Sequence, residues 1–198
     1  NFKIINDDFI LGKTNQNDHI FNEIIFARRN IKHAIIPSYI NQIDSLSFSN
    51  CKKIESIEFS ENSKLTSIGK EAFSYSSIEN ICIPSNVTHL GESCFSYCKN
   101  LKSISFSKNS KLKKIQKYVF SCSSLESIEI PSSVKEFEEG WCKSLENLNQ
   151  ISISSENRNF KIINDDFILG KTNQNDHIFN EIIFARRNIK HAIIPSYI

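Results

Sequence analysis

A six-residue pattern, apolar-x-x-apolar-x-apolar, returns through this chain at nearly constant spacing. Its copies are Ile54, Ile57 and Phe59; Ile78, Ile81 and Ile83; Leu101, Ile104 and Phe106; Leu125, Ile128 and Ile130; Leu148, Ile151 and Ile153. They start 24, 23, 24 and 23 residues apart. The last three positions alternate apolar, polar, apolar, the period of a short strand with one face buried. One such strand cannot bury its face alone. Stacked about 4.8 Å from its equivalents it becomes a rung of a parallel sheet, and its apolar residues become columns of a continuous core. A period of this length points to a solenoid.

Each motif is followed by a turn and a second apolar pair. Pro37, Pro84 and Pro131 end their strands by removing a ladder donor. The alternate units instead carry near-identical loops, residues 60–65 and 107–112, so odd and even units are two types. The next pairs, Leu65 with Ile68, Val87 with Leu90, Leu112 with Ile115 and Val134 with Phe137, read as the opposite wall, built from turns or short helical segments. Phe48, Phe73, Phe95 and Phe120 read as a column filling the wide part of the core. Three residues before each motif stand Cys51, Tyr75, Cys98, Cys122 and Leu145, which read as one small-to-medium buried column with inert thiols. The six cysteines fit neither a compact secreted disulfide framework nor a paired CxxC zinc pattern.

A longer period is free of any change. Residues 1–40 recur as residues 159–198, so the chain is one 158-residue superunit followed by the first 40 residues of the next. Cores tolerate apolar swaps of similar volume, so such identity exceeds what packing demands and reads as a tandem duplication, natural or engineered. Neither end carries the polar cap that solenoids normally need, and the parent protein is expected to continue in both directions. The segment from Leu148 to Asn188 breaks the short rhythm. Its strand-like pieces begin at Phe160, Phe167 and Ile178 and are separated by turn clusters at residues 164–166 and 173–176. A β-hairpin insertion that joins two blocks and holds the stack in register is expected there.

The expected fold is thus a leucine-rich-repeat solenoid with a short parallel β-sheet on one face, turns or short helical segments on the other, and a β-hairpin insertion. Residues 1–30 are its first insertion, 31–147 hold five repeats, 148–188 hold a strand and the second insertion, and 189–198 begin the next block.

Composition excludes several functions. With 39% hydrophobic and 23% charged residues the chain can bury a real core. The formal charge is only +2, from 24 basic and 22 acidic residues, and no concentrated basic field exists for nucleic acid. No run approaches the ~20 apolar residues of a membrane span, and the first residues, Asn1 to Ile4, do not open a signal peptide.

Ile83-Pro84, Val87, Leu90-Gly91, Cys94-Phe95 and Cys98, together with Ile68-Gly69 and Ala72-Phe73, resemble the BspA-like class of leucine-rich repeats. Units of that class run strand, Pro, apolar pair, Gly, Ala-Phe, then Cys. The segment from Asn159, Phe160 and Lys161 onward also looks like the hairpin that interrupts such arrays. Unit five departs from the pattern, with residues 138–142 ending in Trp141 and Cys142 where Gly-x-x-Ala-Phe would stand. The resemblance covers essentially the whole chain. It implies a surface protein of bacteria or protist parasites, extracellular or at the cell surface, that adheres to host proteins or cells.

No G-x-S-x-G, phosphate-cradling glycine loop or nucleophile paired with a base occurs, so no catalytic residue and no cofactor is expected. His19, His33, His89, His177 and His191 lack metal-site spacing. Asp7, Asp8 and Asp18 are too few for calcium and read as turn residues. Lys111, Lys113, Lys114 and Lys117 read as a solvated face, with an acidic partner as the alternative. Asn86, Val87 and Thr88 form an N-glycosylation sequon in a turn.

The candidate interaction face is the outward side of the sheet: Ser56, Glu58, Asn80, Cys82, Ser103, Ser105, Ser127, Glu129, Gln150 and Ser152. It is small, polar and poor in the Tyr, Trp and Arg anchors that dominate binding energy. Two functions fit. One is a non-enzymatic cell-surface module that adheres to a host, matrix or other protein. The other is a structural protein whose superunits stack head to tail into a filament or lattice.

Overall fold

A computed structural model provides the structure of the protein and describes residues 2–17, 19–172, 177–186, 189–194, 196 and 198. The described residues hold strands and turns but no helix. The chain opens with an antiparallel unit, β1 (Lys3–Ile5), β2 (Phe9–Gly12) and β3 (Glu23–Ala27). It then winds through alternating long and short strands: β4 (His33–Ile36), β5 (Gln42–Ile43), β6 (Ser56–Phe59), β7 (Ser67–Ile68), β8 (Asn80–Ile83), β9 (His89–Leu90), β10 (Ser103–Phe106), β11 (Lys114–Ile115), β12 (Ser127–Ile130), β13 (Glu136–Phe137) and β14 (Gln150–Ile153). A second antiparallel unit follows, β15 (Lys161–Ile163), β16 (Phe167–Gly170) and β17 (Glu181–Ala185).

The long strands lie parallel, β8, β10, β12 and β14 in one sheet and β4 with β6 in another. Their register places Ile81, Ile104, Ile128 and Ile151 in one column, the inward partners of the outward Ser, Asn and Glu residues. Pro37, Pro84 and Pro131 each stand immediately after a long strand, where no ladder donor is needed.

On the opposite wall the turns of the expectation are present, and its helical alternative is not. The pairs such as Leu65 with Ile68 end in two-residue parallel strands, and tandem turns rather than helical segments follow them. The reason lies in the backbone. Each unit places two residues in the left-handed region, four apart: Leu46 and Asn50, Glu71 and Tyr75, Ser93 and Tyr97, Tyr118 and Cys122, Gly140 and Ser144. A right-handed helix does not tolerate them. The amide donors serve the neighbouring coil instead, Phe48 N to Ala72 O at 2.8 Å, Phe73 N to Cys94 O at 2.9 Å and Phe95 N to Val119 O at 2.9 Å. Coils approach so closely that a β-carbon on Gly91 would lie 2.5 Å from the carbonyl carbon of Gly69. Inside this wall Phe48, Phe73, Phe95 and Phe120 are fully buried and stack with centroids 4.9, 5.3 and 6.1 Å apart.

The cysteine column is corrected. Cys51, Cys98 and Leu145 are buried in one column, but its members in the even units are Ser76 and Ser123. Even units are one residue shorter before the strand, so Tyr75 and Cys122 fall on the outward left-handed position instead.

The first antiparallel unit merges with this wall. β3 pairs in parallel with β5, Glu23 opposite Gln42 and Ile24 opposite Ile43, which extends the sheet in the order β1-β2-β3-β5-β7-β9. Its tight turn has Asn6 and Asp7 at φ 51° and 55° and closes with Asp8 N to Ile5 O at 3.0 Å, as expected where both central residues must be left-handed. The second unit repeats that turn at Asn164 and Asp165. The turn cluster expected at 173–176 lies outside the described residues.

Candidate interaction surface

Strand alternation turns the ten candidate residues outward in two columns; parallel register aligns the eight on β8, β10, β12 and β14, while Ser56 and Glu58 lie on β6, which pairs with β4. Ser56, Asn80, Ser103, Ser127 and Gln150 form one, and Glu58, Cys82, Ser105, Glu129 and Ser152 the other. All five of the second column are exposed, whereas Ser56, Ser103 and Ser127 are half-buried between neighbours. Several side chains engage one another along the stack: Ser103 Oγ donates to Asn80 Oδ1 at 2.6 Å, and Cys82 Sγ lies 3.6 Å from Ser107 Oγ. The columns extend one strand further than the ten residues. β4 pairs His33 with Ser56 and Ile35 with Glu58, His33 Nδ1 lies 3.0 Å from Ser56 Oγ, and Ile35 is exposed. The signal for these two was present, since residues 31–37 carry the motif and its proline. Between β6 and β8 the ladder breaks, and an open groove of about 590 Å³ lies there, lined by Glu58, Phe59, Asn62, Cys82 and Asn86.

Asn86 sits in this groove with its amide engaged. Nδ2 donates to Ser63 O at 2.9 Å, and Oδ1 accepts from Lys111 Nζ at 2.8 Å. The lysine run is met by the chain's own carboxylates: Lys114 Nζ lies 2.9 Å from Glu136 and 2.7 Å from Glu138, and Lys117 lies 3.9 Å from Glu139. The hydrogen bond from Lys114, with that from the Lys117 amide, holds the Glu138 carboxyl below its usual range, and Glu138 in turn raises Lys114.

Asp8 pairs with Arg28 at 2.7 Å, Asp7 occupies the left-handed turn, and Asp18 lies outside the described residues. All five histidines are exposed. Among the described residues no group of three or more His, Cys, Asp or Glu is arranged to hold a metal ion, and no helix is long and apolar enough to cross a membrane.

A second surface was missed by sequence reasoning. The outward left-handed column brings Tyr75 and Tyr97 into a parallel stack, centroids 4.5 Å apart, with Lys52 Nζ 5.2 Å from the Tyr75 ring. Cys122 follows on the next coil. Burial acts to raise its thiol, but hydrogen bonds from Ser121, Tyr97 and Ser144 and the charge of Lys99 prevail and hold it below an ordinary thiol. No disulfide links the six cysteines. Burial pushes Cys98 up to about 11, Cys94 well above its ordinary value, and Cys51 upward against the nearby Arg29. Only the one-residue difference between odd and even units would have separated Tyr75 and Cys122 from these buried thiols.

The stacked strands, the turn wall and the repeat spacing define a leucine-rich-repeat β-solenoid. The family described as BspA type leucine rich repeat region matches in six copies, over residues 19–149 and 107–175, and the chain belongs to that family. No curated protein sequence matches it. Among solved structures, the pneumococcal vaccine antigen PcpA superposes with a TM-score of 0.67 at 30% identity, over 71% of this chain and 34% of that one. The leucine-rich-repeat protein of T. pallidum superposes with a TM-score of 0.60 at 24% identity, over 75% of this chain and 70% of that one. A leucine-rich-repeat protein from Bacteroides ovatus gives 0.51 at 23% identity, over 74% and 44%. The last two show the fold alone. The chain spans about a third of the length of PcpA.

Proposed function

We propose that the chain is a non-enzymatic, protein-binding stretch of a cell-surface protein and that the outward face of its long-strand sheet makes the contact. The observation that carries this reading is the two-column array. Successive strands present short polar side chains in one parallel register, on a backbone whose ladder bonds hold it rigid. Such a surface needs little ordering when a partner binds, which lowers the entropic cost of association. The likeness to a protein described as a vaccine antigen supports a surface location, since an antigen of that use must be reachable by antibodies.

The test is binding of the immobilised chain to a panel of host-surface and matrix proteins. Saturable binding to at least one is expected. Ser105→Arg combined with Glu129→Arg should weaken it about tenfold or more, a loss of ~1.4 kcal/mol, with the circular dichroism spectrum unchanged. A panel with no saturable binder removes the reading. Binding that ignores the double variant moves the contact off this face.

A further inference from the structure

The antiparallel unit is apolar on both sides. Ile4, Ile10 and Phe26 lie cross-strand from one another on one face, and Phe9, Leu11, Ile24 and Ala27 on the other, with a register shift between Ile10 and Leu11 accommodating Ile25. Near-continuous apolar runs of this kind belong to strands covered on both faces. In the first copy only one face is covered: Phe9, Leu11, Ile24 and Ala27 are buried, and Phe9 meets Phe48 at 5.8 Å. The other face is bare, with Phe2 69% and Phe26 38% exposed.

The second copy shows what covers that face. There the same residues, Phe160 and Phe184, are 7% and 6% exposed. Phe137 meets Phe160 at 4.8 Å, and Trp141 meets Phe137 at 4.8 Å and Phe184 at 5.8 Å. Unit five is built differently to receive them. Trp141 stands where the other units carry Ser47, Ala72, Cys94 and Val119, as the inter-coil bond Phe120 N to Trp141 O shows, and Phe137 stands where they carry Ile68, Leu90 and Ile115. Its turn keeps the two left-handed residues, Gly140 and Ser144, so the departure from the repeat pattern changes the side chains and not the coil.

We infer that the bare face of Phe2, Ile10 and Phe26 is a docking site for the Phe137–Trp141 end of another superunit. The hairpin unit is then a splice through which superunits stack as one solenoid. The two faces use different side chains, so both can be covered at once. The Arg29 guanidinium, 4.6 Å over the Phe26 ring, is the only cation stacked on that face among the described residues. The contact is independent of whatever protein the long-strand sheet binds. In the chain itself the seat on unit five is held by the tethered second copy, whose effective concentration is of order 1 mM, so the wild-type chain does not polymerise through it.

The experiment opens the seat in one molecule and offers it the bare face of another. A full-length variant carrying Phe160→Ser and Phe184→Ser to free the seat, with Phe2→Ser and Phe26→Ser to disable its own docking face, is mixed with wild-type chain. At a concentration of order 0.1 mM, well below that of the tether, sedimentation should show a 1:1 complex. Trp141→Ala added to the variant should abolish the complex, and hydrogen exchange of residues 31–130 should match wild type in both variants. Two further outcomes overturn the inference: no complex while that exchange is native, or a complex that survives Trp141→Ala. A variant that carries only Phe160→Ser and Phe184→Ser should polymerise on its own, and failure to do so with a native core overturns the inference equally.

Discussion

Residues 2–36 and 160–194 have one sequence, and those of them that the structure describes stand in two environments. What is local is the same in both. The tight turns have φ of 51° and 55° in each copy, Thr14 and Thr172 both bond the side chain of Asn22 or Asn180, and Arg28 N and Arg186 N both reach the Asp8 or Asp166 carbonyl at 2.8 Å. What depends on neighbours differs. Phe9 and Leu11 are buried in the first copy and Phe167 and Leu169 in the second, whereas the opposite face is bare in the first copy, at Phe2 and Phe26, and covered in the second, at Phe160 and Phe184. The contrast is sharpest at the repeat motif. Residues 33–36 form β4 beside β6, with Ile36 fully buried, while the identical residues 191–194 form no strand and Ile194 is 56% exposed. A hairpin brings its own partner strand; a single rung has no backbone partner until the next coil supplies one.

Paired substitutions put this contrast to the test. The largest effect is expected at the aromatic seat: Phe160→Ala should cost about 3–5 kcal/mol, as for other buried aromatic truncations. In a solenoid that loss is local, so hydrogen exchange should quicken in residues 160–186 and spare the central coils. Phe2→Ala should stay within about 0.5 kcal/mol. Equal costs at the two sites would mean that the first copy's face is also covered in solution. Next comes the repeat motif, where Ile36→Ala should cost about 2–5 kcal/mol in urea unfolding and Ile194→Ala within about 0.5 kcal/mol. A large loss at Ile194 would show that residues 189–198 pack against something. The smallest effect is expected at the hairpin ion pairs. Asp8→Asn should cost at most about 1 kcal/mol for a half-exposed pair at 2.7 Å, and Asp166→Asn less, since its partner stands 4.0 Å away. Reversal of that order would mean that the two hairpins differ locally after all.

Much of the fold was legible. Strand positions, the prolines, the Phe column and the Asn-Asp turns follow from local periodicity and turn chemistry, and the structure places them where the pattern puts them. The wall was not. A segment holding Leu65 and Ile68 reads as a turn or a short helical segment, the short strand at its end carries no signal of its own, and the choice against a helix fell to left-handed residues that, apart from Gly140, are not glycine. The same holds for the outward Tyr75, Tyr97 and Cys122. Their column is visible only once Ser76 and Ser123, not Tyr75 and Cys122, are aligned with Cys51 and Cys98. Of the candidate face, the ten residues could be named from alternation alone, but not which of them spend their hydrogen bonds on one another.

By itself the sequence determined the solenoid, its coil length and the direction in which each strand residue points, because period and turn chemistry act over a few residues. The tertiary structure alone decided which apolar faces are covered. Forty identical residues occur here twice, and Phe26 is half-bare while Phe184 is buried. Burial is a property of the neighbouring coil, and the residues that supply it, Phe137 and Trp141, lie outside the repeated segment.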